Sequence, residues 1–242
     1  MELTIPFIIC QFMGGRKNKK KKIAAVDTFP NVFQNPDFQD PHLYSSEGQQ
    51  LDVKGKWNEL IFKNNQPITL ELACGKGEYT VNLAKKYPER NFIGIDFRGP
   101  RIFTGAKIAL DEQLTNVAFA RMKIENITNF FATEEVAEIW ITFPDPFPKD
   151  KHEKHRLTFP KFLERYKQIL KKDAILQLKT DDIDLFRYTK SVIESEKLNL
   201  VYYKEDIYAT PLDFEVLEIK TFYEKQFLAQ GKSINYLQFK FA

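Results

Sequence analysis

The chain has 242 residues, 43% hydrophobic and 29% charged, a balance that suits a globular protein able to bury a full core. Its 36 Lys and Arg against 33 Asp and Glu leave a net charge of +3, so any nucleic-acid role must rest on local clusters rather than on overall charge. No apolar run approaches the roughly 20 residues that span a bilayer, and the two cysteines, Cys10 and Cys74, supply neither a disulfide framework nor a metal set.

The first ten residues are apolar but carry Glu2 where a signal peptide needs a basic region, so the chain reads as cytoplasmic, in a reducing compartment. Residues 1–50 read as a flexible basic arm. Arg16, Lys17, Lys19, Lys20, Lys21 and Lys22 form its charge run, followed by the proline-broken stretch Phe29-Pro30-Asn31-Val32-Phe33-Gln34-Asn35-Pro36 with no sustained period. Phe29, Val32, Phe33 and Phe38 are expected to pin it to the domain. Met13-Gly14-Gly15-Arg16 is a second plausible start, which makes residues 1–12 a candidate misassigned start.

Residues 51–242 read as one catalytic domain. From Pro67 onward strand and helix alternate: strands are expected at 68–72, 92–95, 116–122, 136–143 and 174–178, and helices at 77–87, 98–113, 125–131, 159–170 and 183–196. Such alternation predicts an α/β fold, a mostly parallel, doubly wound sheet that binds its ligand at the carboxyl ends of the strands. Residues 200–203 and 236–241 add an antiparallel C-terminal edge.

The first of these strands runs into Glu71-Leu72-Ala73-Cys74-Gly75-Lys76-Gly77, and the next ends at Asp96, nineteen residues after Gly77. Glycines let a backbone approach a nucleotide cofactor, and an acid at that distance accepts from ribose hydroxyls. Thr80 stands where a dinucleotide fingerprint has its third glycine, and Glu71 would repel a pyrophosphate. S-Adenosyl-L-methionine, cationic and free of phosphate, fits the loop better; the plain alternative is an ordinary strand-turn-helix.

The apolar run ending at Thr142 is stopped by Phe143-Pro144-Asp145-Pro146-Phe147-Pro148-Lys149, since three prolines forbid both helix and ladder. Asp145 is thereby held on a stiff turn. Behind it Lys149, Lys151, Lys154 and Arg156 form a basic cluster suited to phosphate, with His152 and His155 among them. The plain alternative is a proline-capped surface loop with a solvated charge run.

Five stretches together resemble the bacterial tRNA (guanine-N7-)-methyltransferases: Glu71 to Gly77, Ile93 to Asp96, Phe143 to Leu157, Lys179-Thr180-Asp181, and Thr221 to Phe227. The resemblance covers about residues 55–242. It implies a Rossmann-like class I methyltransferase fold, S-adenosyl-L-methionine as cofactor and N7 of a guanine in the variable loop of tRNA as methyl acceptor. It implies roles as well. Glu71, Gly75, Gly77, Asp96 and Asp145 match cofactor-binding positions, with Asp145 also the catalytic acid. Lys149, Asp181, Thr221 and Glu224 match substrate-binding positions, and Lys151, Lys154 and Arg156 belong to the tRNA phosphate contacts.

Four departures stand out: Ala73 for the first loop glycine, Asp96 for a common Glu, Phe147 for a common Trp, and His155 in what is usually an Arg-Arg run. Lys123 falls where many relatives have an acid near the adenine, leaving Glu125 or Asn126 to serve. Asp181 or Asp182 equally suits a helix cap, and Thr221 with Glu224 has capping-box spacing. The implied partner is tRNA, with no metal and no membrane, and the protein is a monomer or homodimer. A methyltransferase of another RNA or of a small molecule, or a non-catalytic RNA-binding subunit, are the alternatives.

Overall fold

The computed structural model describes residues 16–37 and 39–242. The expectations for residues 1–12, Met13, Cys10 and Phe38 lie outside the described residues. Within them, residues 16–51 are not an extended arm. They form helix α1 (Arg16–Val26), packed on the helix Gly99–Asp111, and strands β1 (Val32–Gln34), β2 (Leu43–Tyr44) and β3 (Gln50–Leu51), all joined to the main sheet. The boundary expected at residue 51 therefore falls inside a strand. Strands of two or three residues are too short to show a period, which is why the sequence hid them. Val32 and Phe33 are buried and anchor β1, as expected, while Phe29 stacks on Phe103 with ring centroids 5.6 Å apart.

The alternating region follows the expected march: β4 (Ile68–Leu72), α2 (Glu78–Lys86), β5 (Asn91–Ile95), α3 (Gly99–Asp111), β6 (Val117–Arg121), α4 (Ile127–Phe130) and β7 (Val136–Thr142). Then come α5 (Pro160–Ile169), β8 (Leu170–Thr180), α6 (Ile183–Ser195), β9 (Asn199–Lys204), α7 (Phe222–Ala229) and β10 (Asn235–Lys240). Every residue of β4 and β5 is buried, the pattern of strands covered on both faces.

The sheet order is β3-β2-β1-β6-β5-β4-β7-β8-β10-β9. From β1 to β8 neighbouring strands are parallel, and β10 and β9 add the antiparallel C-terminal edge. A second antiparallel edge, β2 and β3, is supplied by the segment expected to be an arm. One core lies between the sheet and α4, α5 and α6, and holds Trp57, Phe130, Phe162 and Phe186. The other, with α2 and α3, holds Tyr79, Ile102, Phe119 and Trp140. Because the parallel strands point the same way, the ends of β4, β5 and β7 bring their following loops to one rim.

Candidate active site

The glycine loop after β4 turns sharply. Ala73, Gly75 and Gly77 all have positive φ, at 54°, 55° and 68°. The two glycines do different work. A Cβ on Gly77 would lie 2.5 Å from the ring of buried Phe119, and Gly94 and Gly105 meet similar obstacles. Gly77 is thus required by packing and lines neither of the cavities at this rim. A Cβ on Gly75 would have only the Ala73 carbonyl near it, at 3.9 Å, so the open side of Gly75 faces the cleft.

Glu71, near the end of β4, is 3% exposed. Its Oε2 accepts from the Thr80 N–H at 2.8 Å and from the Thr80 hydroxyl, and its Oε1 accepts from the Thr142 hydroxyl at 2.5 Å. Burial pushes its carboxyl up to about 7, the threonine bonds acting the other way. One acceptor position on Oε1 is left unfilled by the described residues. At the end of β5, buried Asp96 accepts from the Gly75 N–H at 3.1 Å and from the Arg98 N–H at 2.8 Å, which ties the loop to the next strand. Burial raises its carboxyl also, against the Arg98 hydrogen bond and the charge of Arg101.

Two adjoining cavities open at this rim. The larger, about 150 Å³, is lined by Asp96, Phe97, Glu125, Asp145, Phe147 and His155 among others, and the smaller, about 60 Å³, by Glu71, Gly75, Thr142, Thr221 and Tyr223 among others. Ala73 and Arg101 line both, so the cavities are two ends of one cleft. The distant acids Asp96 and Asp145 are brought to the same space. Lys123 and Glu125 also line it, and of Glu125 and Asn126 it is Glu125 that faces the cavity.

Asp145 sits exposed on a loop whose flanking residues are both left-handed: Phe143 has φ 48° and Phe147 φ 47°. Such conformations cost about 1–3 kcal/mol each and persist only when surroundings hold them. Here the Phe143 N–H donates to the Lys179 carbonyl at 2.8 Å, and the Arg156 guanidinium donates to the Pro146 and Phe147 carbonyls at 3.2 Å and 3.1 Å. Arg156 also lies over the Tyr188 ring, 4.2 Å from its centroid. Its guanidinium thus braces the loop that carries Asp145. Lys149, Lys151 and Lys154 are exposed along the 3₁₀ turn Asp150–His155 and its N-cap, outside both cavities.

The other implied substrate residues separate in the same way. Thr221 caps α7, accepting from the Glu224 N–H at 3.1 Å, and lines the smaller cavity. Glu224 is wholly buried against Lys179 and lines neither cavity. Asp181 lines neither cavity; Lys232 takes its carboxylate at 2.6 Å. The cap of α6 is Asp182, whose Oδ1 accepts from the Leu185 N–H at 2.7 Å. Arg101 and Phe97 also line the cleft, although no motif spacing singles them out, and Tyr223, inside the Thr221 to Phe227 stretch, lines the smaller cavity.

A family model described as "Putative methyltransferase" matches residues 65–237. Over 227 residues the chain is 50% identical to the tRNA (guanine-N(7)-)-methyltransferase of Christiangramia forsetii, covering 93% of this chain and 99% of that protein. The chain belongs to the tRNA (guanine-N7-)-methyltransferase family. The enzyme of the same name from Bacteroides thetaiotaomicron is 45% identical over 225 residues, 93% of this chain and 86% of that one. Among solved structures, the 16S rRNA methyltransferase KamB superposes with a TM-score of 0.59 at 13% identity, covering 80% of this chain and 96% of that one, a likeness of fold. That fold is the expected class I methyltransferase architecture.

The donor set fits the S-adenosyl-L-methionine of this family. Glu71 keeps an acceptor position for a cationic group, the open side of Gly75 lets a ligand approach the backbone, and Asp96 stands at the end of β5 where ribose hydroxyls are held.

Proposed function

We propose that this protein transfers the methyl group of S-adenosyl-L-methionine to N7 of a guanine in the variable loop of tRNA. The observation that carries the reading is the meeting of Asp96 and Asp145 on one cavity, joined through Ala73 and Arg101 to the cavity floored by Glu71. When bound, S-adenosyl-L-methionine supplies an electrophilic methyl on a sulfonium centre.

The residues of the chain bind and orient. Glu71 would accept from the cofactor's ammonium end and Asp96 from its ribose, at the cleft that Asp145 also lines. Guanine N7 carries a free lone pair and no proton, so no base is needed to activate it and alignment governs the rate. Asp145 accepts from guanine N1–H and the exocyclic amine, holding the base by the edge opposite N7, and its charge favours the cationic product. Phe147 and the half-exposed Phe97 flank the cavity and offer faces to an unstacked base. Lys149, Lys151 and Lys154 grip phosphate outside the cleft. The reading places the reaction in the cytoplasm, where tRNA is modified.

Transfer of labelled methyl from S-adenosyl-L-methionine to unmodified tRNA, with chemical mapping of N7-methylguanine, tests it. Label at a variable-loop guanine is expected, with Asp145→Ala slowing turnover at least about 100-fold while tRNA affinity changes little. Label at another position, or an unaffected Asp145→Ala enzyme at saturation, would overturn it.

A further inference from the structure

The amino-acid end of S-adenosyl-L-methionine carries an ammonium and a carboxylate, and the smaller cavity has so far been assigned only an acid. Three amides of the glycine loop, donors a carboxylate could otherwise use, are already committed. The Cys74 N–H donates to Ile95 O at 3.0 Å, the Gly75 N–H to Asp96 at 3.1 Å and the Gly77 N–H to Cys74 O at 2.8 Å. At the start of α7, the Phe222 N–H is held by Glu78 at 2.7 Å and the Glu224 N–H by Thr221 at 3.1 Å. With those amides taken, a charged side chain is the stronger donor for a carboxylate arriving here.

Two cations line this cavity, Lys76 and Arg101. The Lys76 ammonium sits 3.5 Å from the centroid of the Phe222 ring, engaged by that aromatic face. Arg101 stands in the first turn of α3 and lines both cavities, at the junction where the two ends of the cleft meet. Its guanidinium has no hydrogen-bond or ion-pair partner among the described residues; its backbone N–H donates to Arg98 O at 2.9 Å. A planar fork of N–H groups is matched to a carboxylate's two oxygens.

We propose that Arg101 recognises the α-carboxylate of S-adenosyl-L-methionine, with Glu71 taking the ammonium, so that the pair selects the intact amino-acid end of the cofactor. This rests on the cofactor assignment above and adds to it a determinant of cofactor specificity.

Calorimetric titration of the full chain with S-adenosyl-L-methionine and with its decarboxylated form tests it, without turnover. The wild-type protein should prefer the intact cofactor by at least about tenfold, as for a charge-assisted hydrogen bond. In Arg101→Gln the intact cofactor should bind about 10- to 100-fold more weakly, while the decarboxylated form keeps its wild-type affinity or gains; Arg101→Lys should restore part of the preference. Retained affinity for the decarboxylated form also shows that the variant is folded. Equal loss for both compounds, or an undiminished preference in Arg101→Gln with weakened tRNA binding instead, would overturn the proposal. A wild-type protein that binds neither compound would overturn the cofactor assignment itself, and this proposal with it.

Discussion

The ammonium of Lys179 and the carboxylate of Glu224 meet at 2.7 Å with both side chains wholly buried. Lys179 also donates to Leu217 O at 3.2 Å and Ile219 O at 3.0 Å, and the Tyr208 hydroxyl donates to Glu224 at 2.7 Å. One ammonium near the end of β8 therefore clamps residues 217–224 to the sheet and holds Thr221 at the smaller cavity. Burial pushes the Lys179 ammonium below its usual range, with the charge of Glu224 and its hydrogen bond acting against the shift.

Breaking a buried pair by removing one partner strands the other charge and costs about 3–5 kcal/mol, whereas replacing both with apolar groups is often neutral. Glu224→Gln should accordingly lower stability by that amount in chemical denaturation, and Lys179→Met with Glu224→Leu should recover most of it. A Glu224→Gln protein of wild-type stability that has lost tRNA affinity would return Glu224 to the substrate-binding residues.

Arg156 and its basic neighbours should fail in different ways. Replacing Lys151 and Lys154 by Ala should weaken tRNA binding and make log K less steep in log salt, by about one unit or somewhat less for each phosphate no longer neutralised. Arg156→Ala should leave that slope unchanged and reduce turnover, because it frees the Pro146 and Phe147 carbonyls that hold Asp145's loop. A shallower salt dependence in Arg156→Ala would make it a phosphate-binding residue after all.

Glu71 should tie cofactor binding to pH. Its carboxyl is raised by burial from 4.5 to about 7, so the folded protein holds a proton that the unfolded chain releases. The resulting stability is fully present below pH 4.5 and is lost as pH rises through about 7. A cationic group beside Oε1 favours the ionised form, so cofactor binding at pH 6 should release close to one proton, and affinity should climb between pH 6 and pH 7. Titrations at pH 6 in buffers of different ionisation heat measure the release. Glu71→Gln should abolish it, and an unchanged release in that variant would rule Glu71 out as the source.

Ala73 is a local conflict in the loop. An L-residue in the left-handed region costs about 1–2 kcal/mol, and glycine relieves that while adding about 0.4–1 kcal/mol of unfolded-state entropy. With φ at 54°, Ala73→Gly should therefore stabilise the protein by about 0.5–1 kcal/mol, seen as a small rise in Tm. Gly77→Ala should destabilise it by a larger amount, since its Cβ would strike Phe119. A fall in Tm for Ala73→Gly would show that the packing of the side chain outweighs the strain.

The parallel sheet, the glycine loop and the stiff turn at Asp145 were all legible in the chain alone, because each is local: apolar runs bounded by turn residues read as buried strands, and prolines halt a strand wherever it packs. Glu71, Asp96 and Asp145 were marked as well, since their positions at strand ends follow from the alternation. What each polar side chain faces was settled only by packing in three dimensions. Gly75 and Gly77 are equivalent as letters, yet one opens on the cleft and the other on Phe119. Arg156 reads as one cation in a basic run until the Pro146 and Phe147 carbonyls fold back onto it, and Glu224 reads as half a capping box until Lys179, forty-five residues earlier, is buried against it. Arg101 has no motif at all, and its place between the two cavities exists only once the first turn of α3 lies beside the loop after β4. A side chain's role follows from its partners, and partners brought together by long-range packing leave no periodic mark on the chain.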